Sequence, residues 1–157
     1  MIRTAVLIKG KQNGYNLLMF AQESRLADIS SVNLEVFAKN TAFLAAVEYG
    51  KEIPWSIERV FFITARNSEE RGDHAHLEGF QAFICINESA NLICRDGLET
   101  RELKIEALDR VILVPPGIWV NLKLQENATI AVVTNLTYDE KDYINQWDHF
   151  LKLKGLA

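Results

Sequence analysis

The sequence predicts an all-β protein whose short strands close into a sandwich or a barrel. Three observations support this prediction. Short apolar runs rich in β-branched and aromatic residues recur along most of the chain. Turn-forming residues separate these runs at near-regular spacing. Only two stretches suggest a helix, so helices can contribute only a small part of the fold.

The predicted strands begin with a hairpin at the N-terminus. Residues 1–8 and 15–21 flank the pair Asn13-Gly14, which favours a tight reversal of the chain. Turn residues then separate the remaining predicted strands, which span residues 32–37, 41–47, 57–64, 75–86, 91–95, 101–105, 110–114, 119–124 and 128–134.

The two candidate helices lie outside this series of strands. Residues 24–29 are a weak candidate, whereas residues 139–153 place Tyr143, Trp147 and Phe150 on one side. Gly155 follows and can end that helix. We therefore expect a β-barrel with a short C-terminal helix over residues 31–157. Residues 1–30 form an N-terminal β-hairpin extension in this prediction.

Composition and charge limit the class of protein. A chain of 157 residues fits one domain with a substantial core. The net charge of −4 and the lack of a Lys- and Arg-rich run argue against nucleic-acid binding. The apolar stretch over residues 4–8 is too short for a signal peptide or a membrane span, so we expect a cytoplasmic protein.

Two cysteines, Cys85 and Cys94, fall in apolar runs that resemble neighbouring strands. A disulfide across a hairpin is conceivable on this pattern. Two buried thiols in a reducing compartment are the favoured interpretation. No pair of cysteines has the spacing of a zinc site.

The most informative motif is Arg-Gly-Asp-His-Ala-His over residues 71–76. Residues two apart on a strand point to the same face, so His74 and His76 project side by side, about 6–7 Å apart along the backbone. Two imidazoles on one face can ligate a metal or transfer protons near neutral pH. A pair of hydrogen-bonded structural histidines is the alternative without a function.

A metal site is not expected around these histidines. A barrel of this kind usually adds a carboxylate a few residues later and a third histidine from a later strand. Gln81 and Val120 occupy these places, and valine cannot be a ligand. The third histidine of the chain, His149, lies on the predicted C-terminal helix. Two histidines and a glutamine suit a first-row metal poorly, so we predict no metal.

Arginine and tryptophan side chains near the motif suggest an anionic ligand. Arg59 and Arg71 are expected near the mouth of the barrel, where guanidinium groups can bind a phosphate or diphosphate through paired hydrogen bonds. Either could instead be a solvated surface charge. Trp119 follows the turn Pro115-Pro116-Gly117 and can stack on a base or sugar, or simply close the end of the barrel.

Over residues 33–150 the chain resembles the sugar 3,4-ketoisomerase family of cupins, also called WxcM-like. The motifs that carry the resemblance are residues 57–63, residues 71–76 with Gln81, Asp96-Gly97, residues 114–119 and the ending over residues 138–144. The resemblance implies a cupin jelly-roll barrel and a homodimer, often with exchanged N-terminal strands. It implies an isomerase that moves the keto group between C4 and C3 of a dTDP-linked keto-6-deoxyhexose in deoxysugar biosynthesis, with no metal or organic cofactor.

The resemblance also implies roles for individual residues. His74 is the candidate base that removes the proton from C3, and His76 is its partner in orienting or relaying the proton. The residues expected to bind the nucleotide sugar are Arg59, Phe61, Arg71, Gln81, Trp119 and Asn121.

Several positions depart from the family pattern. The family usually has tyrosine at Phe61, histidine at Val120 and lysine at Leu77. Two alternatives therefore stay open: a non-catalytic cupin that binds a sugar nucleotide, and an enzyme similar to a 3,5-epimerase. The epimerase needs a tyrosine acid opposite His74. No tyrosine is predicted there, because Tyr49 falls in a turn and Tyr138 and Tyr143 lie near the C-terminus.

Overall fold

The structure is a computed structural model that describes residues 17–157. Many of its strands coincide with short apolar runs of the sequence, and some of them, such as residues 110–114 and 129–134, are buried on both faces. In chain order they are α1 (Leu17–Glu23), a 3-10 helix (Leu26–Asp28), β1 (Ser30–Asn33), β2 (Val36–Lys39), β3 (Ala42–Ala45), β4 (Arg59–Thr64), β5 (Glu69–His76), β6 (Gln81–Asn87), β7 (Ser89–Arg95), β8 (Thr100–Glu106), β9 (Arg110–Val114), β10 (Trp119–Leu124), β11 (Thr129–Thr134), a second 3-10 helix (Glu140–Asp142), β12 (Tyr143–Ile144) and α2 (Trp147–Leu153).

Two antiparallel sheets make up the body of the described chain. The first sheet has the strand order β1-β9-β6-β11-β4, and the second has the order β12-β5-β10-β7-β8. Strands β2 and β3 form a separate hairpin around Asn40. Apart from the β7–β8 hairpin, neighbours in each sheet are not consecutive in sequence, as in a jelly roll. The prediction of an all-β fold with this architecture is confirmed.

The main core lies between the two sheets. From β10, the side chains of Val120, Leu122 and Leu124 enter it, and β11 contributes Ile130 and Val132. A second apolar layer covers the outer face of the first sheet. A third cluster joins Ala75, Trp119 and Phe150, so that α2 packs on the outer face of the second sheet.

The N-terminal prediction is wrong in the part that the structure describes. Leu17–Glu23 is helical, although residues 15–21 were predicted as a strand. The rest of the predicted hairpin lies outside the described residues. The C-terminal side of this helix is held by Lys154, whose Nζ donates to the carbonyl oxygens of Ala21 (3.0 Å), Ser24 and Gly117 (3.1 Å). These contacts join residues that are distant in sequence, so a local sequence pattern cannot predict them.

The helix predicted over residues 139–153 is also partly wrong. Only Trp147–Leu153 is α-helical, and Tyr143–Ile144 is a short strand that pairs with β5. The spacing of the aromatic residues mimics a helix because Trp147 and Phe150 do lie on α2. Tyr143 belongs to a different environment, where the hydrogen bonds of β5 determine its conformation.

The two cysteines are free and buried, which confirms the prediction of two thiols. Burial raises the pKa of Cys85 to about 11 and that of Cys94 to about 12. The Cys85 thiol donates a hydrogen bond to the carbonyl oxygen of Asn87. Among the described residues, no helix is long and apolar enough to cross a membrane.

Candidate active site

A bulge in β5 sets the geometry of the site. Strand β10 pairs Val120 with His74 and Asn121 with Gly72, so Asp73 is an extra residue in the ladder. Gly72 and Asp73 both have a positive φ, +97° and +61°. A Cβ atom on Gly72 would lie 2.8 Å from the carbonyl oxygen of Val120, so this turn of the backbone requires glycine.

The bulge brings Arg71 and His74 to the same face. Residues three apart on a regular strand point to opposite faces. Here both side chains line a cavity of about 410 Å³ between the two sheets. Gln81 and Tyr143 add polar groups to its wall. The apolar part of the wall includes Phe61, Phe83, Val120, Leu122 and Val132.

His76 is held by a carboxylate. Its Nδ1 lies 2.6 Å from Oδ2 of Asp142, and both side chains are almost fully buried. The other carboxylate oxygen accepts the backbone N–H groups of Glu78 (2.7 Å) and Gly79 (3.3 Å). Burial alone would raise the pKa of Asp142, but the hydrogen bonds from His76 and the backbone lower it overall.

The remaining nitrogen of His76 is therefore the one available for proton transfer. Its Nε2 is buried and has no hydrogen-bond partner within residues 17–157. The carboxylate favours the proton on Nδ1, which makes Nε2 an acceptor in the neutral ring.

His74 lies at the cavity wall beside His76. The two ring centroids are 5.0 Å apart, and the planes are nearly perpendicular. Burial, and then the proximity of His76, lower the pKa of His74. A lowered pKa keeps the imidazole neutral near pH 7, which is the form that can accept a proton.

Tyr143 packs against both histidines, which corrects the expectation that no tyrosine is near His74. Strand β12 pairs Tyr143 with His76 in register. The Tyr143 ring centroid lies 5.0 Å from that of His74 and 4.4 Å from that of His76. Its hydroxyl oxygen lies 3.3 Å from Nη2 of Arg59, which donates to it.

Arg59 and Phe61 lie side by side on β4, next to the site. The Arg59 guanidinium lies 4.7 Å from the centroid of the Phe61 ring and 5.4 Å from that of Tyr138. Its Nε is buried and unpaired within the described chain. Arg59 therefore presents its charge to the Tyr143 hydroxyl, and Phe61 lines the cavity with an apolar ring.

Four of the predicted site residues line the cavity: Phe61, Arg71, His74 and Gln81. Trp119 and Asn121 do not. The alternation of β10 sends Val120 and Leu122 inward, so Trp119 and Asn121 project from the opposite face. Trp119 packs on Trp147 and Phe150, and its Nε1 donates to the carboxylate of Asp73 at 3.0 Å. Trp119 is therefore buried under α2 on the outer face of the second sheet, where it cannot stack on a ligand in the cavity.

The sequence reasoning missed Asp142 and Tyr143 as site residues. Both belong to the family motif over residues 138–144, which could have identified them. The helix predicted over residues 139–153 placed them away from the site instead. His149 lies on α2, as predicted. Within the described part of the chain, no group of three or more His, Cys, Asp or Glu side chains could hold a metal ion. The absence of a bound metal stays a prediction.

Comparison with known proteins identifies relatives of this chain. Residues 27–155 match the protein family described as "FdtA: WxcM-like, C-terminal". A TDP-4-oxo-6-deoxy-α-D-glucose 3,4-oxoisomerase from Aneurinibacillus thermoaerophilus is 33% identical over 123 residues, which cover 77% of this chain and 88% of that protein.

Solved structures of sugar ketoisomerases have the same fold. QdtA, a sugar 3,4-ketoisomerase from Thermoanaerobacterium thermosaccharolyticum in complex with TDP, superposes with a TM-score of 0.78 at 24% identity, covering 83% of this chain and 97% of QdtA. The TDP-quinovose 3,4-ketoisomerase WlaRB from Campylobacter jejuni gives a TM-score of 0.75 at 28% identity, covering 81% of this chain and 99% of WlaRB.

Proposed function

The chain belongs to the WxcM-like family, and from this premise we propose that it moves the keto group between C4 and C3 of a dTDP-linked keto-6-deoxyhexose. One observation carries the proposal: His74 lines the cavity and His76, anchored by Asp142, lies directly beside it. The similarity to a TDP-4-oxo-6-deoxy-α-D-glucose 3,4-oxoisomerase supports the choice of substrate.

The proposed reaction uses the two histidines for different protons. The keto group at C4 acidifies the C3 proton, and neutral His74 removes it to give an enediol-like intermediate. The hydroxyl proton at C3 must also move to the oxygen at C4. His76 suits this relay because Asp142 engages Nδ1 and leaves Nε2 to exchange the proton. General acid–base catalysis of this kind is worth about 10²–10⁴-fold in rate.

We also propose how the nucleotide sugar is bound. Arg71 lines the cavity and suits the diphosphate, because a guanidinium forms paired, charge-assisted hydrogen bonds with it. Gln81 and Phe61 line the part that would contact the sugar, and Arg59 lies behind Phe61. The geometry gives no support for direct contacts between the nucleotide sugar and Trp119 or Asn121.

A homodimer is part of the proposal. The β2–β3 hairpin leaves large apolar side chains uncovered, with Phe37 56% and Phe43 65% exposed. A two-stranded hairpin with such a surface is poorly stable in water by itself, so a second copy of this chain is the proposed cover. Sedimentation or light scattering should give twice the mass of 17.9 kDa. The free thiols Cys85 and Cys94 fit the proposed cytoplasmic location.

The test is incubation with dTDP-4-keto-6-deoxyglucose in D₂O, followed by NMR. Migration of the carbonyl to C3 with deuterium at C4 is expected. A His74→Asn variant should lose this activity and still bind dTDP, whereas His149→Asn on α2 is a matched control. A wild-type protein that binds dTDP but shows no turnover would exclude the isomerase and support the non-catalytic cupin that binds a sugar nucleotide.

The presence of Tyr143 in the cavity wall supplies a tyrosine for one second candidate, an epimerase. In that reaction a base and a tyrosine acid invert carbons next to the keto group. Exchange at C3 and C5 with inversion, and no migration of the carbonyl, would support the epimerase over the isomerase.

A further inference from the structure

We propose that Tyr143 is the catalytic acid that delivers a proton to C4, from the same side of the sugar as His74. This inference rests on the proposed isomerase reaction and adds a group to it. His74 accounts for the proton that leaves C3, and His76 for the hydroxyl proton. We assign the proton that arrives on C4 to a third group, in place of its return by the His74 imidazolium.

The side chains of the cavity leave one good candidate for this acid. Arginine stays protonated at all ordinary pH values, an amide such as Gln81 is not an acid, and the aliphatic hydroxyl of Thr64 is a far weaker acid than a phenol. Phe61 carries no hydroxyl. Among the described residues that line the cavity, Tyr143 is the only tyrosine, and a phenol can donate its proton to carbon.

The surroundings of the Tyr143 hydroxyl suit an acid. Arg59 Nη2 lies 3.3 Å from the phenolic oxygen and donates to it, so its positive charge faces the phenolate that proton transfer would leave. The rings of Phe61 and Tyr138 hold the guanidinium in place. Strand pairing of Tyr143 with His76 fixes the backbone of the acid to the strand that carries both histidines.

The protons balance over one turnover. His74 takes the C3 proton, and the electrons of that bond form a double bond between C3 and C4. At the same time His76 relays the hydroxyl proton from the C3 oxygen to the C4 oxygen. The double-bond electrons then take the Tyr143 proton onto C4, and the C3 oxygen forms the new carbonyl. The Tyr143 phenolate finally regains a proton from the His74 imidazolium through solvent. No oxidant or reductant is consumed.

The proximity of base and acid predicts the configuration of the product. Because the rings of His74 and Tyr143 are neighbours, 5.0 Å apart, C4 gains its proton on the face from which C3 lost one. In a gluco sugar the hydrogens on C3 and C4 point to opposite faces. Delivery on one face therefore gives the galacto configuration at C4 of the 3-keto product.

The test compares the wild type with Tyr143→Phe on dTDP-4-keto-6-deoxyglucose in D₂O. The variant should lose about 10²–10⁴-fold in kcat for isomerisation, with little change in KM. It should still exchange the C3 hydrogen for deuterium, because His74 is intact. Tyr49→Phe is the matched control, since this tyrosine is 65% exposed and does not line the cavity, and it should keep the wild-type kcat.

Rescue and stereochemistry complete the experiment. Adding Phe61→Tyr to Tyr143→Phe should restore part of the isomerisation, because it returns a hydroxyl to the cavity. An unchanged kcat in Tyr143→Phe, or a gluco product from the wild type, would overturn the inference while leaving the isomerase intact. A wild type that shows neither exchange nor migration removes the proposed function itself.

Discussion

Nδ1 of His76 and Oδ2 of Asp142 are 2.6 Å apart, although 66 residues separate them in the chain. The contact joins the end of β5 to the 3-10 helix before β12. It determines which nitrogen of His76 carries the proton and which way the ring faces. The carboxylate itself is held by two backbone N–H groups, so the orientation of His76 depends on a prearranged acceptor.

Replacement of Asp142 by Asn should impair catalysis more than binding. The amide can present its NH₂ to Nδ1 and so favour the tautomer with the proton on Nε2, which cannot accept one. We expect kcat to fall by at least about 10²-fold with a small change in KM. Steady-state kinetics on the keto-sugar measure both, and Asp148→Asn on the exposed face of α2 is the control. An Asp142→Asn enzyme with normal kcat would exclude this role.

The pH dependence of kcat/KM should reflect the lowered pKa of His74. The base is active when neutral, so activity is lost as the pH falls through this pKa. Since burial and His76 lower the pKa, the acidic limb should lie below the ordinary value of about 6.5. Asp73 and Asp142 oppose the shift without reversing it. A limb above 6.5 in the wild type would contradict the assignment of His74 as the base.

Substitution of Gly72 by Ala should damage both stability and activity. The new Cβ would meet the carbonyl oxygen of Val120 at 2.8 Å in a backbone conformation with φ near +97°. Gly50→Ala is a matched control, because φ is +85° there but no atom lies within 4 Å of the new Cβ.

Denaturant unfolding separates the two effects. Gly50→Ala should cost about 1 kcal/mol through the backbone alone. Gly72→Ala should cost more, and only this variant should lose kcat, because the bulge aligns Arg71 with His74. Equal losses of stability in the two variants, with full activity, would show that the bulge tolerates a side chain.

Replacement of Lys154 by Met should release the N-terminal segment. The change removes the donor to the carbonyl oxygens of Ala21, Ser24 and Gly117 and keeps most of the apolar stem. Amide hydrogen exchange should accelerate over residues 20–28, and the free energy of unfolding should fall by about 1–3 kcal/mol. Lys152→Met on the exposed side of α2 is the control. Unaltered amide hydrogen exchange in the Lys154 variant would mean that other contacts are enough to hold residues 20–28 in place.

The sequence predicts the sheets well because alternation is a local property. The common face of His74 and His76 is predicted from residues two apart and is observed. The single strand predicted over residues 75–86 is wrong, because a turn separates β5 from β6 there. The alignment of Arg71 with His74 could not be predicted, since an extra residue in a ladder depends on the partner strand. Asp142 and Tyr143 were missed for the same reason: β12 exists only through its pairing with β5.

The burial of Cys85 and Cys94 has a practical consequence for spectroscopy. The raised pKa values leave almost no thiolate at neutral pH, so neither native thiol should react with maleimide reagents. A single cysteine introduced at the exposed Lys39 of the β2–β3 hairpin could therefore carry a fluorophore or spin label and leave Phe37 and Phe43 in place. Distances between two such labels would report directly on how a second copy of the chain meets the β2–β3 hairpin.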